Sequence, residues 1–186
     1  MRRYIAFLRA INVGGHTVTM ETLRGVFEKL GLADVESFIA SGNIIFGTRA
    51  PEVGALERTI EAQLQKALGF EVKTFLRTDA EVAAVARYQP FSPKQLAAAR
   101  TLNIGFLSAP LTPAATKALM AFTTDIDSFH AEAREVYWLC KKGQSESDFS
   151  NVRFEKALKV SATFRGANTI ARLAAKYPGG DQRLEA

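Results

Sequence analysis

The chain has 186 residues, 47% of them apolar, enough for one ordinary domain or two small ones around a real hydrophobic core. A single cysteine, Cys140, excludes an internal disulfide, and the absence of any cysteine–histidine cluster excludes a structural zinc. The net charge of +5 is unevenly spread: Asn151 to Tyr177 holds six basic residues against Glu155 alone, while the remainder balances. No run of about 18 apolar residues is present, and Met1-Arg2-Arg3-Tyr4 leads straight into a strand pattern. The expectation is therefore a cytoplasmic protein without a membrane partner.

Tyr4 to Arg9 is a compact apolar run suited to a central strand. After a glycine-containing loop, Thr19 is placed to cap a helix from Met20 to Leu30, with Met20, Leu23, Phe27 and Leu30 on one face and Gly31 as its stop. Val35 to Ala40 and Ile44 to Gly47 read as strands joined through Ser41-Gly42-Asn43. Pro51 opens a long amphipathic helix closed by Gly69, and Val72 to Arg77 is the next strand. This βαββαβ order is that of a ferredoxin-like plait.

The order then recurs. A short helix over Asp79 to Tyr88 and a loop through Pro90 and Pro93 lead to a strand at Leu102 to Ser108. A helix capped by Thr112-Pro113 follows, then a hairpin of Ser128 to Ala133 with Val136 to Cys140. A helix over Ser145 to Lys159, a strand over Ser161 to Phe164 and an extra C-terminal helix complete the chain. Tyr4 to Ala10 matches Asn103 to Ala109 at an offset of 99, and Asp34 to Ala40 matches Asp125 to Ala131 at 91. A weaker echo pairs Lys73-Thr74-Phe75 with Ala162-Thr163-Phe164. The fold expected is α+β: two ferredoxin-like (βαββαβ) plaits formed by internal duplication, over 1–89 and 90–186, with eight extra residues assigned to the Ile11 to Val18 loop of the first copy.

Residues that one copy carries and the other lacks are candidates for function. Arg9 faces Ser108, the Ile11 to Val18 loop has no counterpart, and Ser41-Gly42-Asn43 is replaced by Glu132-Ala133-Arg134. Arg9 with Asn12 and the pair Gly14-Gly15 make an anion cradle, since glycines let backbone N–H groups approach an oxyanion and Arg offers a fork of donors. The competing structural roles are a turn for the glycines, a bridge from Arg9 to an acid such as Glu36, and an ordinary hairpin turn for Ser41 and Asn43. Topology is expected to place Arg9 and Asn43 at opposite ends of the sheet.

Other residues carry less. His16 has no visible orienting partner. His130 and Cys140 read as packed strand residues, and Tyr137 and Trp138 lack the signature of plait-type RNA binders. There is no Walker loop and no dinucleotide fingerprint, so no cofactor and no metal is expected.

The stretch Phe7-Leu8-Arg9-Ala10-Ile11-Asn12-Val13-Gly14-Gly15, followed by Met20, Leu23, Leu30-Gly31 and Ser41-Gly42-Asn43-Ile44-Ile45-Phe46, resembles the bacterial family called domain of unknown function 1697. Thr163-Phe164-Arg165-Gly166-Ala167-Asn168-Thr169 resembles that family's C-terminal motif, departing from it at Gly166-Ala167. The resemblance implies a pair of α/β plaits without an established activity, and it adds Arg165 and Asn168 as candidate ligand-binding residues. The leading expectation is a non-enzymatic module binding an anionic small molecule, a nucleotide or a nucleic acid. The alternatives are a small-molecule enzyme with a site between plaits and a structural or oligomeric interaction protein.

Overall fold

The structure is a computed structural model and describes residues 1–9, 11, 17–49 and 52–179. Among the described residues there are eight strands and seven α-helices, arranged as two α+β units. Among the described residues no helix is long and apolar enough to cross a membrane.

The first unit contains β1 (Arg2–Leu8), α1 (Met20–Lys29), β2 (Ala33–Ser37), β3 (Asn43–Thr48), α2 (Val53–Leu68), β4 (Thr74–Thr78) and the start of α3 (Asp79–Arg87). Its sheet has the order β2-β3-β1-β4, with antiparallel neighbours throughout. β1 takes a central position because Tyr4 through Leu8 are apolar on both faces, and all five are at most 1% exposed. Tyr4, Ala6 and Leu8 pack with Leu23 and Phe27 of α1 and with Ile60 and Leu64 of α2. Thr19 caps α1 as expected, accepting the Thr22 N–H at 3.1 Å. The cap of α2 is the Glu52 carboxylate, which accepts from Gly54 and Ala55 at 2.8 and 2.6 Å; Pro51, expected in that role, lies outside the described residues.

The second unit contains α4 (Pro93–Ala98), β5 (Thr101–Leu107), α5 (Pro113–Met120), β6 (Asp127–Glu132), β7 (Glu135–Cys140), α6 (Asn151–Leu158), β8 (Ala162–Gly166) and the start of α7 (Ala167–Lys176). Its antiparallel sheet has the order β6-β7-β5-β8. Two expectations need correction here. The stretch through Pro90 and Pro93 is not all loop: Pro93 is the first residue of α4, whose start is fixed by a reciprocal capping box between Ser92 and Gln95. The helix expected over Ser145 to Lys159 is broken into a short 3-10 turn, Gln144–Glu146, and α6. Ser147 causes the break by accepting the Phe149 N–H at 3.0 Å while donating to Asp127 at 2.8 Å. That conformation sends Phe149 into an aromatic core, with its ring 4.5 Å from Trp138 and 4.9 Å from Phe129.

Register defines which positions are equivalent. Tyr4 stands opposite Phe46 and Thr78, and Asn103 stands opposite Trp138 and Gly166, so the match of the first strands holds. Glu36, opposite Ile45, is equivalent to His130, opposite Tyr137. The expected match of Asp34–Ala40 with Asp125–Ala131 is therefore out by three residues at Glu36. At the other edge Thr74 aligns with Ala162, one residue from the expected echo, and Arg77 with Arg165. The loop after β1 is longer by six residues, not eight, as measured from strand end to capping threonine.

The units are not consecutive lengths of chain. One is Met1–Ala84 together with the residues from Leu173 onward, and the other is Val85–Arg172. Both divisions fall inside a helix, at positions equivalent by the β4 and β8 register. Each of these two helices is followed closely by a tyrosine that bonds an outer strand. Tyr177 donates to Glu36 at 2.8 Å beside Lys176, also at 2.8 Å. Tyr88 lies 2.9 Å from the Nε2 of His130, the position equivalent to Glu36.

The hydrogen bond from Lys176, then that from Tyr177, holds the Glu36 carboxyl below its usual range. A carboxyl depressed in the folded state contributes stability above its unfolded pKa of about 4.3 and loses it as pH falls through the folded value. Glu36 is half-exposed, so the contribution is at most about 1 kcal/mol. Thermal melts across pH should show Glu36→Gln and Tyr177→Phe each less stable than the parent at neutral pH, the latter by about 1 kcal/mol, with the difference closing in acid.

Candidate functional site

Asn12, Gly14 and Gly15, the core of the expected anion cradle, lie outside the described residues, as does His16. The remaining candidates of the first unit occupy one end of its sheet. Phe7 is in register with Asn43, and the Leu8 N–H donates to the Gly42 carbonyl at 2.9 Å. The expectation that Arg9 and Asn43 sit at opposite ends is thus overturned: β3 runs antiparallel to β1, so its start lies beside the end of β1.

Asn43 is fully buried, and its amide donates to the Phe38 carbonyl at 3.1 Å and to Ser41 Oγ at 2.7 Å. Gly42 has φ +69°, and a Cβ there would sit 3.2 Å from the Ile11 side chain. In this turn Ser41, Gly42 and Asn43 satisfy one another and the backbone. By register, Gly42 and Asn43 are equivalent to Arg134 and Glu135, one residue on from the expected replacement. Arg9 continues the strand, donating its N–H to the Lys73 carbonyl at 2.8 Å.

In the second unit Arg165 is turned back onto its own strand, bonding Thr163 Oγ1 at 2.8 Å and the Phe164 carbonyl at 2.9 Å. Burial pushes its guanidinium down to about 10. Its equivalent, Arg77, is 1% exposed and bonds the Leu76 carbonyl in the same way at 2.8 Å. Because both units carry this arginine, it belongs to the shared frame. The basic excess of the C-terminal quarter is likewise dispersed: Arg153 reaches the Asp148 carbonyl and Lys176 is paired with Glu36.

Asn168 belongs to a different setting. It lines a concavity of about 350 Å³ at the end of the second sheet where β5 begins and β8 passes directly into α7. Thr101, Leu102, Asn103 and Leu139 line it around the strand end, and Arg100 and Asn168 are exposed. No acidic side chain lines it. Asn103 is 4% exposed, and its Oδ1 accepts from Gln144 Nε2 at 2.7 Å. Its Nδ2 has no partner among the described residues, and neither does Thr101 Oγ1. A buried donor without an acceptor costs about 1–3 kcal/mol. The first backbone N–H groups of α7, which by geometry have no acceptor within the helix, open on the same concavity through Gly166, Ala167 and Asn168. The arrangement is a set of donors awaiting acceptors.

The family model described as a protein of unknown function (DUF1697) matches residues 1–137. The chain belongs to the DUF1697 family. A conserved bacterial protein from Streptococcus pneumoniae, SP0830, has a similar structure, at 23% sequence identity and a TM-score of 0.71, covering 96% of this chain and 99% of that one. At that identity the likeness speaks to the fold. No curated protein matches the chain.

The other sequence candidates take structural places in this DUF1697 protein. Cys140 is buried, and burial raises its thiol pKa. Burial also raises the Tyr137 hydroxyl well above its usual range, with Glu135 adding to the effect. His130 is partly exposed, bonded to Tyr88, with its ring against those of Tyr88 and Tyr137. The residues that sequence reasoning missed are Arg100, Thr101 and Asn103. The available signal was Asn103 itself, a polar residue within a largely apolar strand at the position held by Tyr4 in the first unit.

Two substitutions test the reading of the Ser41–Asn43 turn as architecture. Asn43→Ala should cost about 2 kcal/mol by leaving buried groups unpaired, and Gly42→Ala about 1 kcal/mol or more from its left-handed backbone. Denaturant unfolding would measure both, and an unchanged midpoint would instead make the turn free for another use.

Proposed function

We propose that the protein is a binding module for a small anionic molecule, built on two duplicated ferredoxin-like plaits, with its site at the start of α7. The shared strand order and the equivalent registers of the two sheets support the plait reading. The observation that carries the functional reading is the Asn103 amide, buried and without a partner on its Nδ2, in the lining of an acid-free concavity. An oxyanion there accepts from Asn103 and Thr101, meets the positive end of the helix, and draws Arg100 inward. Leu102 and Leu139 accommodate a short apolar body.

A small molecule fits better than a nucleic acid. Phosphate-backbone binding needs several cations along one groove, and here Arg165 is half-buried and turned onto its own strand while Lys176 is engaged by Glu36. Calorimetric titration with a panel of small organic and inorganic anions tests the proposal. Trp138, the chain's one tryptophan and the cross-strand partner of Asn103, supplies a fluorescence readout. Binding is expected, and Asn103→Ala and Arg100→Ala should each weaken it by about tenfold, the loss of one hydrogen bond to a charged group. Affinity for every anion that is undetectable, or indifferent to both substitutions, would remove the site.

A further inference from the structure

The two units differ most tellingly at the helix that leaves the last strand. In the first unit that helix, α3, is sealed by its own carboxylates. Asp79 Oδ1 accepts the Ala80 N–H at 2.8 Å, and Glu81 Oε2 accepts the Thr78 N–H at 2.7 Å and its hydroxyl at 3.1 Å. Thr78 Oγ1 in turn accepts the Glu81 N–H at 3.1 Å. The cross-strand neighbour of Thr78 is Tyr4, a buried aromatic residue that packs with α1 and α2. By the β4 and β8 register the equivalent residues before and within α7 are Gly166, Ala167 and Thr169, and the cross-strand neighbour of Gly166 is Asn103. Both carboxylates are gone, the threonine that closed the cap is a glycine, and the buried ring is replaced by an amide with an unpartnered nitrogen. The second unit has therefore lost two negative charges from the place where the first unit keeps them, and has opened a cavity there.

We infer that the ligand supplies those two charges itself: the site at the start of α7 takes a dianionic phosphate monoester of a small molecule. This assignment rests on the anion-binding reading given above and narrows it. A phosphate monoester offers three terminal oxygens to the three kinds of donor in the lining, namely the Asn103 amide, the Thr101 hydroxyl and the α7 backbone. It becomes dianionic above a second pKa near 6. A monocarboxylate offers two oxygens and one charge, and leaves part of that donor set unused. The ester's organic group lies on Leu102 and Leu139, so a monoester binds more tightly than bare phosphate.

Isothermal titration with phenyl phosphate, inorganic phosphate and benzoate, at about pH 5 and about pH 7.5, brackets that ionisation. Phenyl phosphate should bind at the higher pH and about tenfold more weakly at the lower, in proportion to its dianion. Benzoate should bind weakly and equally at both. Ala167→Asp and Thr169→Glu restore, one at a time, the carboxylates of the first unit. Each should abolish phenyl phosphate binding while leaving the melting temperature unchanged or raised, so lost binding cannot be put down to unfolding. Benzoate binding as tightly as phenyl phosphate, or phenyl phosphate binding that ignores pH or survives both substitutions, overturns this assignment and leaves the broader one standing. If none of the three probes binds, the broader reading falls with it.

Discussion

Tyr4 through Leu8 are closed to solvent on both sides of β1, and with side chains alternating every residue this requires two separate coverings for one sheet. The helices α1 and α2 supply the first, through Leu23, Phe27, Ile60 and Leu64. On the other face Ile5, Phe7 and Phe75 are just as buried. The same unit acquires Lys176 and Tyr177 from the far end of the chain, tied to Glu36 and lying beside Arg3. The doubly buried central strand thus sets the layout: it fixes which strands are neighbours, forces the glycine turn at Gly42 against Leu8 and Ile11, and makes residues distant in sequence part of one core.

Against that common frame, differences between equivalent positions acquire meaning. An arginine next to the end of the last strand appears in both units as Arg77, buried, and Arg165, half-buried, each bonding the carbonyl of the preceding residue, and so belongs to the shared frame. The helix that follows is finished in one unit and unfinished in the other. An amide left without an acceptor in a protein interior is a cost that folding alone would not retain, and its neighbours at the end of the second sheet are donors too. The charge surplus of the C-terminal quarter does not form one free cluster, because Arg153, Arg165 and Lys176 are engaged by carbonyls and a carboxylate.

Much of the fold was legible in the residues. Apolar runs at Tyr4–Leu8 and Leu102–Leu107, threonine caps at Thr19 and Thr112, and Gly69 after α2 located the corresponding elements to within a few residues. Failures came where side chains compete with the backbone, as at Ser147, or where proline begins a helix instead of preventing it, as at Pro93. The comparison of copies looked for added residues and so passed over the carboxylates of Asp79 and Glu81 that are replaced at Ala167 and Thr169. Sequence matching also slipped by three residues at β2, which hid the equivalence of Glu36 and His130. Asn168 was picked out for its motif, but its neighbours in the concavity come from β5 and the turn before it, a proximity no linear spacing reveals.

The interleaved make-up of the units has a consequence for synthesis on the ribosome. The first unit's strands emerge early, yet the segment from Leu173 onward that completes it is translated last, after every residue of the second unit. A nascent chain therefore carries an unfinished sheet throughout the time its later half is being made, and the later unit is the first whose residues are all available. Until the residues from Leu173 onward are made, the early sheet lacks part of its unit, and an incomplete sheet is open to misassociation.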